Sequence, residues 1–481
     1  MSRVVVVPSI KPHKPRFHIL GPGSIGSLFA YYFHKHHIPF TLFRRSAPPP
    51  LPPHYERKDV ATHGNTFPSY DIPSSYPPTT LKYMNLTSLH SHPADPKAID
   101  GVNWEPLYPI IDKELFRHDP TYNELSRAPI HQLLVTTKTH QTVAAMSKIR
   151  HRLRPWSTIV LMQNGMGILE EICQSMGWAH EDERPNFIQG IITHGAQKID
   201  DTIMHTGRGQ VWLSPILGPF ISTESTSTVR RRRSTPTINQ LLKKDNLGVS
   251  PFPEVIKPGE STLLEPYPRP KATVPFVAPF TDAPFSSFYD APSNPEALRL
   301  LRIRSFYETF AALQELSTDM DLRIIMPDRL LALQISKLVV NACVNPVATL
   351  LETSNGGLLD ASDNAHQAVK DLLKESHYIL NRSQEYQNLN EDLRQEFLTL
   401  EALTKTTEGI LRVTRMNRCS TLQDYMKGSQ QCEIEYMNGY LIKMAERDSL
   451  PGKKAESVAP LNRRVTERIK EKFATPRQVT E

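Results

Sequence analysis

The stretch FHILGPGSIGSLFAYYFHKHHIPFTLF, residues 17–43, decides the fold. FHIL (17–20) has the texture of a short buried strand. GPGSIG (Gly21–Gly26) breaks it, SLFAYYFHKHH reads as a helix, and IPFTLF (38–43) reads as a second strand. Strand, glycine turn, helix and strand in this order open a parallel α/β unit. Glycines at the turn let backbone approach a pyrophosphate, whose charge sits against the helix N-terminus. A plain tight turn is the alternative, because the Gly21-x-Gly23-x-x-Gly26 pattern is weak by itself.

The same alternation continues downstream. LLVTT (133–137) is strand-like, a helical stretch runs over Gln141–Leu153, and STIVLM (157–162) is a further strand ending in QNGMG. GILEEICQSM reads as a helix and FIQGIITHGAQ (187–197) as another strand with its turn. Beyond Asn294 the texture changes to apolar residues at three- and four-residue spacing, through SKLVVNACVNPVATLL, AHQAVKDLLKESHYIL, EDLRQEFLTLEALTKTTEGIL and EIEYMNGYLIKMAERDSL, which predicts helices. Pro346 predicts a helix end or kink just after Asn345.

Composition explains what lies between. The 481 residues hold 41 prolines, of which 15 fall in 46–130 and 14 in 215–300. Most proline, 29 of 41, is therefore concentrated in two blocks set into and after a regular fold. The expected organisation is a basic N-terminal segment (1–16), an α/β nucleotide-binding domain (17–295) with proline-rich insertions at about 46–130 and 215–295, a helical domain (296–475) and a tail (476–481).

The charge of +6 permits an anionic ligand but does not argue for nucleic acid. The densest basic run, Arg230 to Arg233, reads as a solvated loop. No run of 18 apolar residues stands out, so no membrane span is expected. Four cysteines without a CxxC argue against a disulfide framework or a zinc site and suit a reducing compartment. Residues 1–55 lack Asp and Glu and carry Arg3, Lys11, Lys14 and Arg16. That is a transit-peptide trait, although Pro8, Pro12 and Pro15 spoil an amphipathic helix. Cytoplasm and mitochondrion both remain open.

The end of the second strand bears on the cofactor. An NAD site would place an acid there to accept from the ribose 2′-hydroxyl. This chain has Arg44 and Arg45, which suit a 2′-phosphate, so NADP(H) is expected. Lys138 (TTKTHQ) and Asn164 (MQNGMG) follow the carboxyl ends of strands, where open α/β sheets bind ligands. Each alone is equally an ordinary loop residue; together with Gly21–Gly26 they line one crevice. QNGMG would give backbone freedom beside the cofactor. Lys337, Asn341 and Asn345 recur at i, i+4 and i+8, on one face of an otherwise apolar helix. Polar groups facing inward there are costly unless they meet a polar ligand. Asn355 lies beyond, in TSNGG. In the stretch 419–439, Ser420 could bind a carboxylate, and Glu433 and Glu435 point to different faces.

Taken together, GPGSIG, the TTKTHQ lysine, QNGMG, ITHGA, SKLVVNACVNPVATLLETSNG and STLQD…CEIEYMNG resemble the ketopantoate reductase (2-dehydropantoate 2-reductase) family, in that order from Gly21 to about Gly439. The resemblance implies a Rossmann-type α/β domain followed by an all-α domain like the C-terminal one of 6-phosphogluconate dehydrogenase. It implies NADPH-dependent reduction of a small 2-keto acid, 2-dehydropantoate, to pantoate in pantothenate and coenzyme A synthesis. No metal is expected from the residues, and helical faces in the second domain could support a homodimer. Lys337 matches the catalytic lysine, the general acid. Asn341, Asn345, Asn355 and Ser420 match substrate-binding positions, and Asn164 matches one touching both substrate and cofactor. The turn Gly21, Pro22, Gly23, Ser24, Ile25 and Gly26, with Arg45, Lys138, Ala196 and Glu433, matches cofactor contacts. The link from LQD to EIEY is one residue longer than usual, and both proline-rich blocks exceed the compact bacterial form, as in fungal or other eukaryotic versions. Two other readings stand beside this one: a non-catalytic NADP(H)-binding or organellar regulatory protein, such as one related to translation, and a reductase of another 2-keto acid.

Overall fold

A computed structural model describes residues 14–44, 82–85, 102–106, 128–178, 180, 183–199, 202–216, 295–360, 363–448 and 458–475. Most of both proline-rich blocks, Arg45, Arg230–Arg233, residues 1–13 and the tail from 476 lie outside the described residues. Residues 14–16 attach to the fold: Lys14 Nζ donates to the His36 carbonyl at 2.7 Å, and an Arg16 guanidinium nitrogen donates to the Phe40 carbonyl at 3.2 Å.

The strands are β1 (Phe17–Leu20), β2 (Phe40–Arg44), β3 (Lys82–Asn85), β4 (Val102–Pro106), β5 (Ile130–Val135), β6 (Leu153–Leu161), β7 (Asn186–Ile192), β8 (Gly195–Ile199), β9 (Thr202–Gly207), β10 (Val211–Pro215) and β11 (Leu322–Ile324). Helices α1 (Ser24–Lys35), α2 (Thr139–Ile149) and α3 (Ile168–Met176) connect the parallel strands. The main sheet has the order β11-β10-β7-β6-β5-β1-β2-β4. β1 pairs in parallel with both β2 and β5, and the parallel run continues through β6 to β7, as the strand–helix alternation predicts. Phe17, Ile19 and Leu20 are fully buried, as expected of a central parallel strand covered on both faces. A second, antiparallel sheet has the order β3-β9-β8. The first proline-rich block therefore contributes two strands, β4 on the edge beside β2 and β3 beside β9.

Helix α4 (Pro295–Gln314) and helix α5 (Ser317–Met320) lead into β11. They move the change of architecture from the expected position near 296 to about 326. Ser305 of α4 bonds Thr158 of β6 at 2.9 Å, Asn186 donates to the Arg302 carbonyl at 2.9 Å, and β11 completes the main sheet. The spacing of apolar residues does show a helix here, but not which layer it packs on.

The remaining helices are α6 (Pro327–Leu350), α7 (Gly357–Asp360), α8 (Asp363–Leu380), α9 (Gln384–Gln387), α10 (Glu391–Phe397), α11 (Leu400–Val413), α12 (Ser420–Met426), α13 (Asn438–Arg447) and α14 (Pro460–Ala474). The single helix expected over 391–411 is two, because Thr399 stops one and caps the next, accepting from the Ala402 amide at 3.1 Å. α6 is the axis of this part. Ile335, Leu338, Val339, Ala342, Cys343 and Ala348 are buried in one apolar cluster with residues of α8, α11 and α13. Contrary to the expectation of no spanning segment, α6 is long and apolar enough to cross a membrane, but most of it is buried among the other helices.

Pro346 does not end α6, which runs four residues further. A proline in a helix interior has no N–H for the carbonyl four residues back, here that of Ala342. The Asn438 side chain fills that vacancy, donating from Nδ2 to the Ala342 carbonyl at 2.8 Å, and also lies 2.9 Å from Asn462 Oδ1. Both asparagines are fully buried. Asn438→Leu is expected to lower unfolding free energy by about 1–3 kcal/mol, because a buried acceptor loses its donor. In a denaturant-midpoint measurement, Pro346→Ala should recover part of that loss in the Asn438→Leu background and stabilise the wild type less. Equal effects of Pro346→Ala in both backgrounds would sever this link.

Candidate active site

The glycine turn sits at the carboxyl end of β1. Thr136, just past β5, donates from Oγ1 to the Gly21 carbonyl at 2.7 Å, and Ser27 Oγ donates to the Pro22 carbonyl at 3.3 Å. A Cβ on Gly26 would lie 2.2 Å from the Gly21 carbonyl oxygen, so Gly26 is needed for helix–strand packing. Gly23 differs: it is exposed, a Cβ there would meet nothing within 4 Å, and its φ of −77° is ordinary. Helix α1, which begins at Ser24 and Ile25, has no acidic residue in its first turn and no side-chain cap. With no side chain capping its first turn and free space beside Gly23, these residues fit a dinucleotide pyrophosphate. Arg44 closes β2, while Arg45 lies outside the described residues.

Lys138 follows β5 and precedes α2. Its Nζ lies 2.8 Å from Asp424 Oδ2 and 4.0 Å from Glu433 Oε2. Burial disfavours its charge, but Glu433 and then Asp424 outweigh burial and raise its pKa. Burial pushes the Asp424 carboxyl up, against the pull of Lys138. Glu433 is buried, and its Oε1 accepts from the Thr139 amide at 3.0 Å and lies 2.8 Å from Thr139 Oγ1. Thr139 Oγ1 is also 2.8 Å from the Asn164 carbonyl, so one hydroxyl joins α2, the loop after β6 and the helical part. Glu435 turns away and pairs with Lys470.

The QNGMG loop docks on the same segment. Met166 donates from its amide to the Tyr436 carbonyl at 3.0 Å. Gly165 has φ +81°, and a Cβ there would stand 2.3 Å from the Tyr436 carbonyl oxygen. At Gly165 the backbone freedom of this loop allows a close approach to the helical part.

Lys337 reaches from α6 to the end of β7, donating from Nζ to the Ile192 carbonyl at 2.8 Å. The residue as a whole is half-buried, yet desolvation is the main influence on the amine and lowers its pKa to about 8; Glu433 pulls the other way. Asn341 is half-buried one turn on, and Asn345 is buried with Nδ2 3.7 Å from Met437 Sδ. Asn355 is buried, donates from Nδ2 to Thr414 Oγ1 at 2.8 Å, and leaves Oδ1 without a partner among the described residues. Ser420 is half-buried in the first turn of α12, while its neighbour Cys419 caps that helix. The four cysteines are free, and no group of three metal-ligating side chains comes together among the described residues.

Residues 109–218 match the family model described as ketopantoate reductase PanE/ApbA, and residues 329–473 match its C-terminal model. The chain belongs to the ketopantoate reductase family, a family of oxidoreductases. A probable 2-dehydropantoate 2-reductase of Schizosaccharomyces pombe is 24% identical over 327 residues, covering 68% of this chain and 71% of that protein. The 2-dehydropantoate 2-reductase of Saccharomyces cerevisiae is 23% identical over 453 residues, covering 91% and 90%. Among solved structures, D-mandelate dehydrogenase with NADH and anilino(oxo)acetate superposes with a TM-score of 0.51 at 12% identity, covering 95% of this chain and 98% of that one; this likeness concerns the fold.

Within this ketopantoate reductase architecture, Lys138, Asn164, Glu433 and Lys337 come from four separate segments and converge. Ala196 lies apart from them in the pairing of the small sheet, on β8 opposite His205. The sequence reading missed Thr139, Asp424 and the Ile192 carbonyl. Asp424 stood in the quoted STLQD, but its partner is 286 positions away. A backbone carbonyl leaves no mark in residue types.

Proposed function

We propose that the chain reduces 2-dehydropantoate to pantoate with NADPH, and that Lys337 is the general acid. The observation that carries this reading is the Lys337 amine: held on a backbone carbonyl, near Glu433, with a pKa brought down to about 8. A lysine so tuned is largely protonated at pH 7 yet gives up its proton readily, which is what general-acid catalysis near neutral pH asks of it. NADPH, when bound, supplies a hydride to the keto carbon. Charge then grows on the carbonyl oxygen, and Lys337 Nζ offers that oxygen positive charge and a proton. Asn341, Asn345, Asn355 and Ser420 would hold the carboxylate and hydroxyl, and the unpartnered Asn355 Oδ1 supports such a role. Arg44 and Arg45 favour the 2′-phosphate of NADPH over NADH.

The deciding assay is NADPH oxidation by the purified protein with 2-dehydropantoate and a panel of other 2-keto acids. Turnover of another 2-keto acid alone would replace the substrate; binding of NADPH without any turnover would end the enzymatic reading. A pH series adds a second test. Activity needs Lys337 protonated, so kcat should fall as pH rises through about 8. Glu433 raises the Lys337 pKa, so Glu433→Gln should move that basic limb to lower pH. A limb that stays in place would show that Lys337 is not the titrating acid.

A further inference from the structure

We propose that His194, in the ITHGA turn, is a positioning residue for Lys337: with His205 it clamps the turn between β7 and β8 and so fixes the Ile192 carbonyl on which the lysine amine rests. The inference rests on the reading of Lys337 as the general acid.

Both rings are buried, with 7% and 5% exposure. His194 Nε2 is 2.8 Å from the Met320 carbonyl, and its Nδ1 is 3.1 Å from the Gly209 amide and 2.9 Å from His205 Nε2. These partners settle the protons. A carbonyl only accepts, so His194 Nε2 carries hydrogen. A backbone amide only donates, so His194 Nδ1 is an acceptor and the ring is neutral. His205 Nε2 must then donate to it, which leaves His205 Nδ1 to accept from Tyr32 Oη at 3.2 Å. The chain runs in one direction: Tyr32 of α1 to His205 of β9, to His194, to the end of α5. Burial pushes the Tyr32 hydroxyl up to about 12, which keeps it a donor.

The clamp has the right place to act. His194 lies two residues past Ile192, whose carbonyl takes the Lys337 proton donor. Thr193 and Gln210 add bonds on the other side of the turn, with the Thr193 amide 3.0 Å from the Gln210 carbonyl and the Gln210 amide 2.8 Å from Thr193 Oγ1. The charged and titratable groups acting on His194 are Asp321 and Arg208, and those acting on Tyr32 are Asp319, Tyr31 and Arg208. Burial holds the His194 pKa below its ordinary value. A proton on Nδ1 would point at two donors, so the clamp is whole while pH stays above the lowered value and opens as pH falls through it.

The test follows the lysine, not turnover alone. In full-length protein with lysine side chains labelled for NMR, the Lys337 signal is assigned by its loss in Lys337→Met. His194→Phe keeps the ring volume without nitrogens; it should displace the Lys337 signal and its titration and lower kcat by up to about a hundredfold, the cost of a small misplacement. His194→Asn keeps an acceptor at the Nδ1 position and cannot titrate. It should leave the Lys337 signal near wild type while removing the response seen in wild type at low pH. An unchanged Lys337 signal in His194→Phe overturns the proposal. If His194→Phe does not fold, persistence of the low-pH response in His194→Asn overturns it, and loss of that response supports it. Failure of wild type to reduce any 2-keto acid would strike the proposed function and leave the coupling measurement standing.

Discussion

Lys337→Ala lowers kcat by roughly a hundred- to ten-thousandfold, the range that a positioned general acid contributes. NADPH affinity, measured by direct titration, changes far less. The asymmetry follows from where the side chain sits. Lys337 comes from α6 and ends on the Ile192 carbonyl, while the glycine turn that fits the pyrophosphate belongs to β1 and α1. Its charge matters most when the substrate oxygen becomes negative, which is a property of the transition state and not of cofactor binding. Normal turnover by the variant would remove Lys337 from the mechanism. Equal losses in kcat and NADPH affinity would make it a binding residue instead.

Gly23→Ala leaves the thermal midpoint of the protein alone nearly unchanged and weakens NADPH binding by about tenfold to a hundredfold. The added methyl has space in the fold, since nothing lies within 4 Å and φ is −77°. Only a ligand's phosphate would meet it, and losing one hydrogen bond to a charged group costs about 1.5–3 kcal/mol. Gly26→Ala is the opposite case. Its methyl would stand 2.2 Å from the Gly21 carbonyl oxygen and 2.5 Å from Thr136 Oγ1, so the turn itself must shift and the midpoint falls. Two alanines three residues apart thus separate a glycine that serves a ligand from one that serves packing. Equal midpoints for both variants, or undiminished NADPH affinity in Gly23→Ala, would undo this division.

Much of the site is legible in the sequence because its residues sit at element ends that punctuation marks. Gly21–Gly26, Lys138 and Asn164 each follow a strand whose apolar run stops, and the structure places all three segments at the carboxyl edge of the parallel sheet. Lys337 stands out as a cation in an apolar helix. What that logic does not reach is partnership. Lys138 was expected at a cofactor, and nothing in its local sequence shows that Asp424 and Glu433 lie beside it.

The sequence by itself determined the parallel α/β unit and the helical second part. Each of these follows from local periodicity and from residue types that are costly to bury alone. The tertiary structure decided the rest. It kept α6 continuous through Pro346, because a side chain 96 positions away supplies the missing donor. It carried α4 and β11 back to the first sheet. It set Gly165 against Tyr436, and it lowered the Lys337 pKa by enclosing an amine that the sequence shows only as a lysine. The reason is common to all four. A hydrogen-bond vacancy, a packing layer, a close backbone approach and a desolvated charge are defined by neighbours in space, and those neighbours lie far apart along the chain.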